Sequence, residues 1–268
     1  MAAPDIFVNS LQPDSPLLSP LLPNDLSHIS GRQTIRPFSM AFQPIVDLEA
    51  NRVFAYEALV RGHANEPAAS VLYSSRSSNR ASLDRACRLT AIEIATSLGV
   101  LETGAALAIN VNARPSFNKI PALPETVAAA EHAGLPLDRL ILEITENERV
   151  RNPHRLHDAL EDYRQQGLRV AIDDFGAGFA GLSLLAAFRP DILKIDIALT
   201  RDVQKRRPSR VIIRSVVQIC RDLNIQLIAE GCEHPEQADI LQTLGIRYMQ
   251  GNLFAEPAFE ALPAWPAV

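Results

Sequence analysis

The sequence predicts an α/β fold of the TIM-like (β/α)8 barrel class, with a first strand antiparallel to the others. From residue 40 onward, short apolar runs alternate with helix-length segments, as expected for buried parallel strands covered by helices. The chain has 268 residues, close to the roughly 250 of one such barrel. Six runs also end on a polar residue able to bind a metal or a phosphate, and barrels gather such strand ends at one mouth.

The elements follow one another without a break. MAFQPIVDL and RVFAYEALV are separated by the turn residues EAN, so we expect an antiparallel hairpin. The remaining strands are predicted at ALAIN, LILEIT, RVAIDDF, ILKID, QLIAEG and RYMQGNLF. Apolar residues three and four apart predict helices at SLDRACRLTAIEIATSLG, PALPETVAAAEHAGL, HRLHDALEDYRQQG, AGLSLLAAF, SRVIIRSVVQICRDLN and PEQADILQTLG. Eight strands and their helices complete the barrel.

Residues 1–39 differ from the barrel, which we assign to residues 40–268. This segment mixes Pro, Ser and Leu with neither helical nor strand periodicity, which predicts a disordered extension. The alternative is a docking segment for a regulatory protein partner, because its leucines at 17, 18, 21 and 22 could fold against such a partner.

Composition excludes several classes of protein. The formal net charge of -5 argues against a basic surface for duplex nucleic acid or an anionic membrane, so an anionic ligand would need cations from bound metal. Three cysteines without CxxC spacing argue against a disulfide framework and favour a reducing compartment. No run approaches the roughly 20 apolar residues of a membrane span, and the N-terminus lacks a signal-peptide pattern. We therefore expect a cytoplasmic protein.

The polar strand ends are expected to form one site. Strand–helix–strand connections are right-handed, so successive parallel strands end on the same face. The residues that then converge are Glu57, Asn110, Glu143, Asp173, Lys194, Glu230 and Gln250. Facing carboxylates raise one another's pKa strongly unless cations compensate them. Oxygen ligands without clustered His or Cys suit Mg²⁺ or Mn²⁺, so we predict a divalent metal site.

Asp173 and Asp174 are adjacent, and adjacent strand residues normally point to opposite faces. Here FGAGFAG follows, and its glycines would let the backbone curl so that both carboxylates reach the mouth. One Asp bridging two metals roughly 3.5–4 Å apart would suit phosphodiester chemistry, with a water held between the metals. Lys194 would then orient that water or offset phosphate charge; the alternative is a purely structural ion pair.

The order of the motifs gives the chain a family resemblance. FAYEALVR, INVN, LEITE, IDDFGAGF, LKID, AEGCE and QGNLFAEP occur in the order found in the EAL-domain family of cyclic di-GMP phosphodiesterases, over residues 40–258. The resemblance implies metal-dependent hydrolysis of cyclic di-GMP to the linear dinucleotide pGpG, which lowers the level of this bacterial second messenger in signal transduction. It also implies two Mg²⁺ or Mn²⁺ ions in each active site.

The resemblance further implies a role for individual residues. The first metal would be bound by Glu57, Asn110, Glu143 and Asp173, and the second by Asp174, with Asp173 bridging the two. Lys194 matches the lysine at the attacking water, and Glu230 matches either the general base or a water-mediated ligand of the second metal. The residues that match those around the substrate or the metal-bound waters are Gln43, Arg61, Asp196 and Gln250. Two residues match those that support the ligands, Glu146 and Glu233.

Departures from the family pattern lie outside this set. Gly62 and His63 follow Arg61 where the family usually has Trp, Asn112 stands where Ser is common, and Cys232 stands where a small aliphatic residue is usual. These departures concern the expected guanine packing and substrate affinity more than the chemistry. The alternative function is a catalytically inactive cyclic di-GMP receptor or protein-interaction module; the complete ligand set argues against it. An unrelated Mg-dependent lyase or isomerase would fit the carboxylates but not the paired Asp.

The resemblance also implies a homodimer. In the family, dimers pack near the loop and helix after the fifth strand, and the apolar segment AGLSLLAAF at residues 180–188 fits this role. Covering the barrel would explain the same pattern equally well.

Overall fold

The computed structural model of the protein describes residues 37–74, 80–111, 123–145, 153–178 and 181–265. Residues 1–36, which include most of the predicted N-terminal extension, lie outside this part of the chain, as do Asn112 and Glu146. The strands are β1 (Phe38–Asp47), β2 (Arg52–Gly62), β3 (Ala106–Asn110), β4 (Leu140–Thr145), β5 (Arg169–Phe175), β6 (Ile192–Ile195), β7 (Gln226–Ala229), β8 (Tyr248–Gln250) and β9 (Ala258–Phe259).

The helices cover the outside of these strands. They are α1 (Ala68–Ser74), α2 (Arg80–Ser97), α3 (Val100–Thr103), α4 (Leu123–His132), α5 (Pro153–Gln165), α6 (Gly181–Ala187), α7 (Ile197–Thr200), α8 (Arg207–Leu223) and α9 (Pro235–Thr243). The sequence pattern missed α1, α3, α7 and β9. Three of these elements have only two to four residues, too short to display a periodicity, and α1 is barely two turns long.

The strands close into the predicted barrel. β2 to β8 pair in chain order and in parallel, while β1 lies between β8 and β2 and is antiparallel to both. β9 adds a short antiparallel pairing to β1. The (β/α)8 fold class with an antiparallel first strand is thereby confirmed.

The interior of the barrel is layered. Strand residues two apart share a face, so the inward positions alternate along each strand. One layer is the buried apolar cluster of Ile45, Ala55, Ala106, Ala108, Ile141, Ala171, Ile192 and Ile228. Polar residues follow two positions towards the mouth from members of this cluster: Gln43, Glu57, Asn110, Glu143, Asp173, Lys194 and Glu230. The alternation therefore builds an apolar floor directly beneath a polar ring.

Two further observations bear on the sequence predictions. Cys87, Cys220 and Cys232 are free thiols, and burial raises the pKa of each to about 12, which disfavours the thiolate form. Among the helices of the described residues, none has the length and apolar character needed to cross a bilayer.

Candidate metal centre

The polar ring is held in register by the strand ladder. Glu57 on β2 lies opposite Gln43 on β1 and beside Ala108 on β3. Asn110 on β3 is paired with Glu143 on β4. Because the ladders fix the backbone positions, the carboxylates are brought together by the fold itself, and Glu57, Glu143 and Asp173 are at most 7% exposed.

Lys194 lies at the centre of the ring and is completely buried. Its Nζ is within ion-pair distance of four carboxylates: Glu57 Oε2 at 3.1 Å, Glu143 Oε1 at 3.0 Å, Asp173 Oδ1 at 3.2 Å and Glu230 Oε1 at 2.7 Å. Burial alone would lower the pKa of Lys194, but these carboxylates raise it well above its ordinary value. The lysine is therefore a permanent cation at neutral pH, shared by the ring.

Glu57 receives the largest number of hydrogen bonds in the ring. Asn110 Nδ2 donates to its Oε1 at 3.2 Å, and Gln250 Nε2 donates to its Oε2 at 2.7 Å. Gln250 also donates to Gln43 Oε1 at 3.2 Å, and Gln43 Nε2 in turn donates to the carbonyl of Ala255 at 3.0 Å. Burial raises the pKa of Glu57, but Lys194 and these donors together bring it below its ordinary value. Glu57 is thus held ionised.

Unlike Glu57, the other three carboxylates around Lys194 have raised pKa values. Burial, followed by the charges of neighbouring carboxylates, raises the pKa of Glu143 and of Glu230 well above the usual value, with Lys194 opposing the rise. The same causes raise the pKa of Asp173. One ammonium therefore does not compensate the ring, and its carboxylates favour a further cation or a proton.

Asp173 and Asp174 reach the mouth through an irregularity in β5. Ile172 pairs with Leu193 and Phe175 with Ile195, so two residues of β5 face the single Lys194 of β6. This is the pattern of a β-bulge. Asp174 itself has φ +57°, in the left-handed region that Asp tolerates better than most residues. From the sequence, this convergence was expected to depend on the glycines that follow. The left-handed backbone instead occurs at Asp174, before those glycines and within β5.

Two overlapping groups of carboxylates have the geometry of cation sites. Ligand atoms of Glu57, Glu143 and Asp173 lie within 4.8 Å of one another, and so do those of Asp173, Asp174 and Glu230. Asp173 belongs to both groups. Glu143 Oε2 is buried without a hydrogen-bond partner among the described residues, as expected of an atom that awaits a ligand. The donors are all oxygens, which fits hard divalent cations such as Mg²⁺ and Mn²⁺.

Three further predicted residues, Arg61, Asp196 and Glu233, are not members of the ring. Arg61 is half-buried, donates to the carbonyl of its neighbour Val60 at 2.9 Å, and has a pKa lowered by burial against the opposing charge of Glu57. Asp196 caps α7, its Oδ1 accepting from Ala198 N at 2.8 Å, and its charge contributes to the raised pKa of Asp174. Glu233 is exposed, and its backbone N–H donates to Gln237 Oε1 at 3.0 Å.

Sequence reasoning missed two polar residues beside the ring. Thr200 at the end of α7 is fully buried, and its Oγ1 donates to the carbonyl of Glu230 at 2.6 Å. Gln237 on α9 is 1% exposed and contacts the same loop. A signal was present for Gln237, because it shares the buried face of α9 with Ala238 and Leu241, where a polar residue must find partners.

Comparisons with known proteins agree on one family. A family model described as "EAL domain" matches residues 29–257. A standalone versatile EAL protein from Vibrio cholerae O395, crystallised in its c-di-GMP bound form, is 37% identical with a TM-score of 0.80, over 87% of this chain and 98% of that chain. The manganese/cy-diGMP complex of Klebsiella pneumoniae BlrP1 at pH 9.0 is 33% identical with a TM-score of 0.76, over 86% of this chain and 58% of that chain.

Two curated proteins of Escherichia coli strain K12 are also similar. The blue light- and temperature-regulated antirepressor BluF is 32% identical over 228 residues, or 84% of this chain and 56% of BluF. The cyclic di-GMP phosphodiesterase PdeR is 33% identical over 153 residues, or 56% of this chain and 23% of PdeR. The chain thus spans about half the length of BluF, and its match covers under a quarter of PdeR.

Proposed function

The chain belongs to the EAL domain family, and on this premise we propose that it hydrolyses cyclic di-GMP to linear pGpG with two bound Mg²⁺ or Mn²⁺ ions. The observation that carries the proposal is the pair of carboxylate groups that share Asp173 at the barrel mouth. Similar proteins solved with cyclic di-GMP, one of them together with manganese, support the choice of substrate and of metal. The reaction lowers the level of a bacterial second messenger.

The charge balance of the ring supports two cations rather than one. The two groups contain five carboxylates, of Glu57, Glu143, Asp173, Asp174 and Glu230. With all five ionised and Lys194 protonated, the two groups and Lys194 together have four negative charges in excess, which two divalent cations neutralise. The first cation is assigned to Glu57, Asn110, Glu143 and Asp173, and the second to Asp173, Asp174 and the vicinity of Glu230.

The reaction is a displacement at phosphorus. A water oxygen gives up a proton and bonds to phosphorus, and the bond from phosphorus to a 3′ oxygen breaks. The 3′ oxygen takes up a proton from solvent and leaves as a hydroxyl. When bound, the cations make water more acidic and stabilise the charge that develops on the phosphate. Glu230 is assigned the proton of the attacking water, because its carboxylate lies beside Asp173 and Asp174 in the second group, within reach of a water held there. Lys194, 2.7 Å from Glu230 Oε1, orients this carboxylate.

The substrate is assigned to the rim of the ring. Arg61 supplies a cation for a phosphate, and Asp196 accepts hydrogen bonds from a guanine. Gln43 and Gln250 form a hydrogen-bonded chain that ends on Glu57, so they connect the substrate side of the mouth to the first cation. Glu146 and Glu233 remain proposed supporting residues.

The test is to incubate the purified protein with cyclic di-GMP and either Mg²⁺ or Mn²⁺ and to follow pGpG by chromatography. We expect turnover with at least one metal and none in the presence of a chelator. Glu57→Ala and Asp173→Ala should each lower activity by about 100-fold or more, because each removes an assigned ligand. Asp239→Ala, which removes an exposed carboxylate on α9, is the matched control and should leave activity unchanged.

A second candidate function is a catalytically inactive receptor or protein-interaction module. It is favoured by the similarity to BluF, which is named as an antirepressor rather than as a phosphodiesterase. Tight binding of cyclic di-GMP without turnover in either metal would establish this alternative and refute hydrolysis. The complete set of carboxylates supports hydrolysis, because a module that only binds has no need of both groups.

The proposal extends to location and partners. We assign the protein to the cytoplasm, in agreement with its three free cysteines. We also propose a homodimer, and a regulatory protein partner that contacts the N-terminal segment.

A further inference from the structure

The loop after β7 carries Glu230 and is bonded to two neighbouring elements. Glu230 N donates to the carbonyl of Ile195 at 3.1 Å, and Cys232 N donates to the carbonyl of Gln250 at 3.0 Å. Gly231, between them, has φ +64°, and a Cβ at this position would lie 2.3 Å from Ile197 Cγ1 of α7. The loop and α7 are therefore in direct contact, and the backbone conformation that allows the contact favours glycine.

Gln237 joins these two elements from outside the ring. Its Nε2 donates to the carbonyl of Thr200 at 3.0 Å and to the carbonyl of Gly231 at 3.0 Å, while its Oε1 accepts from Glu233 N at 3.0 Å. Both N–H bonds of the carboxamide are thus used, one on α7 and one on the loop. Because the residue is 1% exposed, water does not compete strongly for these bonds.

Thr200 completes the connection. Its Oγ1 donates to the carbonyl of Glu230 at 2.6 Å, while its own carbonyl accepts from Gln237. The α7 helix begins at its cap, Asp196, and ends at Thr200. The carboxamide therefore fixes the backbone of Glu230 relative to the helix that begins at Asp196, without touching either side chain.

We propose that Gln237 is a positioning residue that, through Thr200 and Gly231, sets the placement of Glu230 against Lys194 and of Asp196 at the rim. The inference rests on the proposed hydrolysis, in which Glu230 takes the proton of the attacking water. Glutamine is suited to this position because two carbonyl oxygens require two N–H donors. A glutamate has the same shape, but it would place a carboxylate oxygen against the carbonyl oxygens of Thr200 and Gly231 and so lose both hydrogen bonds.

The first test compares Gln237→Glu and Gln237→Met with the wild type in kcat, in KM for cyclic di-GMP and in affinity for Mn²⁺. We expect kcat to fall by about 10- to 100-fold while affinity at the first cation site, which Glu230 does not form, is unchanged. Gln242→Glu, at an exposed position on the same helix, is the matched control and should retain wild-type kcat. Equal kcat in Gln237→Glu and wild type would overturn the proposal.

The second test separates positioning from general support of the fold. Thr200→Val removes the hydroxyl bond to Glu230 at nearly constant volume, whereas Thr200→Ser keeps the hydroxyl. We expect Thr200→Val to lower kcat and Thr200→Ser to keep kcat near the wild-type value. The melting temperatures of the two variants should be similar. If kcat instead follows the melting temperature across all variants, Gln237 and Thr200 are structural residues only.

The two proposals fail in different ways. A wild-type protein that does not hydrolyse cyclic di-GMP with either metal refutes the proposed function. An active wild type with unaltered Gln237 variants refutes only the positioning role. Amide hydrogen exchange across residues 229–233 and 197–200 adds a readout independent of turnover: both segments should lose protection together in Gln237→Met, and separate behaviour would contradict a shared connection.

Discussion

At the scale of single residues, Lys194 is the cation that compensates several carboxylates of the ring at once. Its ammonium contacts four carboxylates of the ring, so it acts as the internal cation of the ring in the absence of metal. Its raised pKa means that this stabilisation is complete below the ordinary lysine pKa and is lost only above the raised one. Over the neutral range Lys194 itself therefore stays protonated.

Replacing Lys194 by Met should destabilise the metal-free protein by about 3 kcal/mol, because removing one partner of a buried ionic network leaves the others uncompensated. Urea unfolding with a chelator measures this change. Mn²⁺ should restore more stability to the variant than to the wild type, since the added cation replaces the lost charge. Lys205→Met, at an exposed position, is the control. A metal-free variant as stable as the wild type would show that Lys194 does not have this role.

Asp174 gives the site a dependence on pH. Burial, followed by the charges of Asp173 and Asp196, raises its pKa to about 6 from an ordinary 3.8. Between these values the folded protein holds a proton that the unfolded chain has released, so metal-free stability falls as pH rises from about 4 to about 6. A cation at Asp174 must displace this proton.

The rise in melting temperature on adding Mn²⁺ should consequently be larger at pH 8 than at pH 5. Thermal unfolding at fixed Mn²⁺ concentration measures it. Asp174→Asn removes the titrating group and should reduce the difference between the two pH values. Equal Mn²⁺ effects at pH 5 and pH 8 in the wild type would contradict the assignment of Asp174 as a ligand.

The residues of the ring were predictable from sequence to an unequal degree. Glu57, Asn110, Glu143, Lys194 and Glu230 follow from strand periodicity, because each lies at the mouth end of an apolar run. The placement of Asp174 required a positive φ and a bulge that no periodicity reveals. Thr200 and Gln237 lie on helices, but their side chains bond to segments that are distant in sequence, and helical periodicity does not reveal those partners.

At the scale of elements, the barrel is closed at the end opposite the site by the turn after β1. Asp47 is 1% exposed, and its Oδ1 accepts from Glu49 N and Ala50 N at 3.1 Å each and from Arg247 Nε at 2.7 Å. Arg247 comes just before β8, so one carboxylate orders the β1–β2 turn and connects it to the neighbouring strand. The Arg247 guanidinium, together with the two backbone donors, lowers the pKa of Asp47 against the effect of burial.

Asp47→Ala should lower the free energy of unfolding by about 2 kcal/mol, because it removes the charge-assisted bonds that a buried carboxylate accepts from Arg247 and from two backbone N–H groups. Urea unfolding at pH 7 measures this loss. The stabilisation is present above the ordinary Asp pKa and should disappear as pH falls through the lowered one. Glu49→Ala removes an exposed ion pair to the same arginine and should change stability by about 0.5 kcal/mol or less. A similar loss in both variants would contradict this explanation.

At the scale of the whole molecule, the antiparallel β1 makes the ring continuous. It brings Gln43 between Gln250 on β8 and Glu57 on β2, so the polar mouth has no gap where the first and last strands meet. A fully parallel barrel would place a different end of this strand at the mouth. Sequence alone predicted the reversal from the short EAN turn. For the apolar segment at residues 180–188, however, the sequence was compatible both with a dimer contact and with a role in covering the barrel.

The outer surface near α6 bears on oligomeric state. Leu184 and Leu185 are buried against the barrel, but Leu182 on the same helix is 63% exposed. Covering the barrel therefore accounts for part of the apolar segment at residues 180–188 and leaves Leu182 without that role.

A two-fold symmetric dimer would bury the same patch from both subunits, so we expect a homodimer that Leu182→Glu converts to a monomer. Light scattering, with and without cyclic di-GMP and Mn²⁺, measures the mass. Leu98→Glu, at another exposed leucine, is the control and should remain dimeric. A monomeric mass for the wild type under both conditions would refute the dimer, and an unchanged dimer in Leu182→Glu would place the interface elsewhere on the barrel.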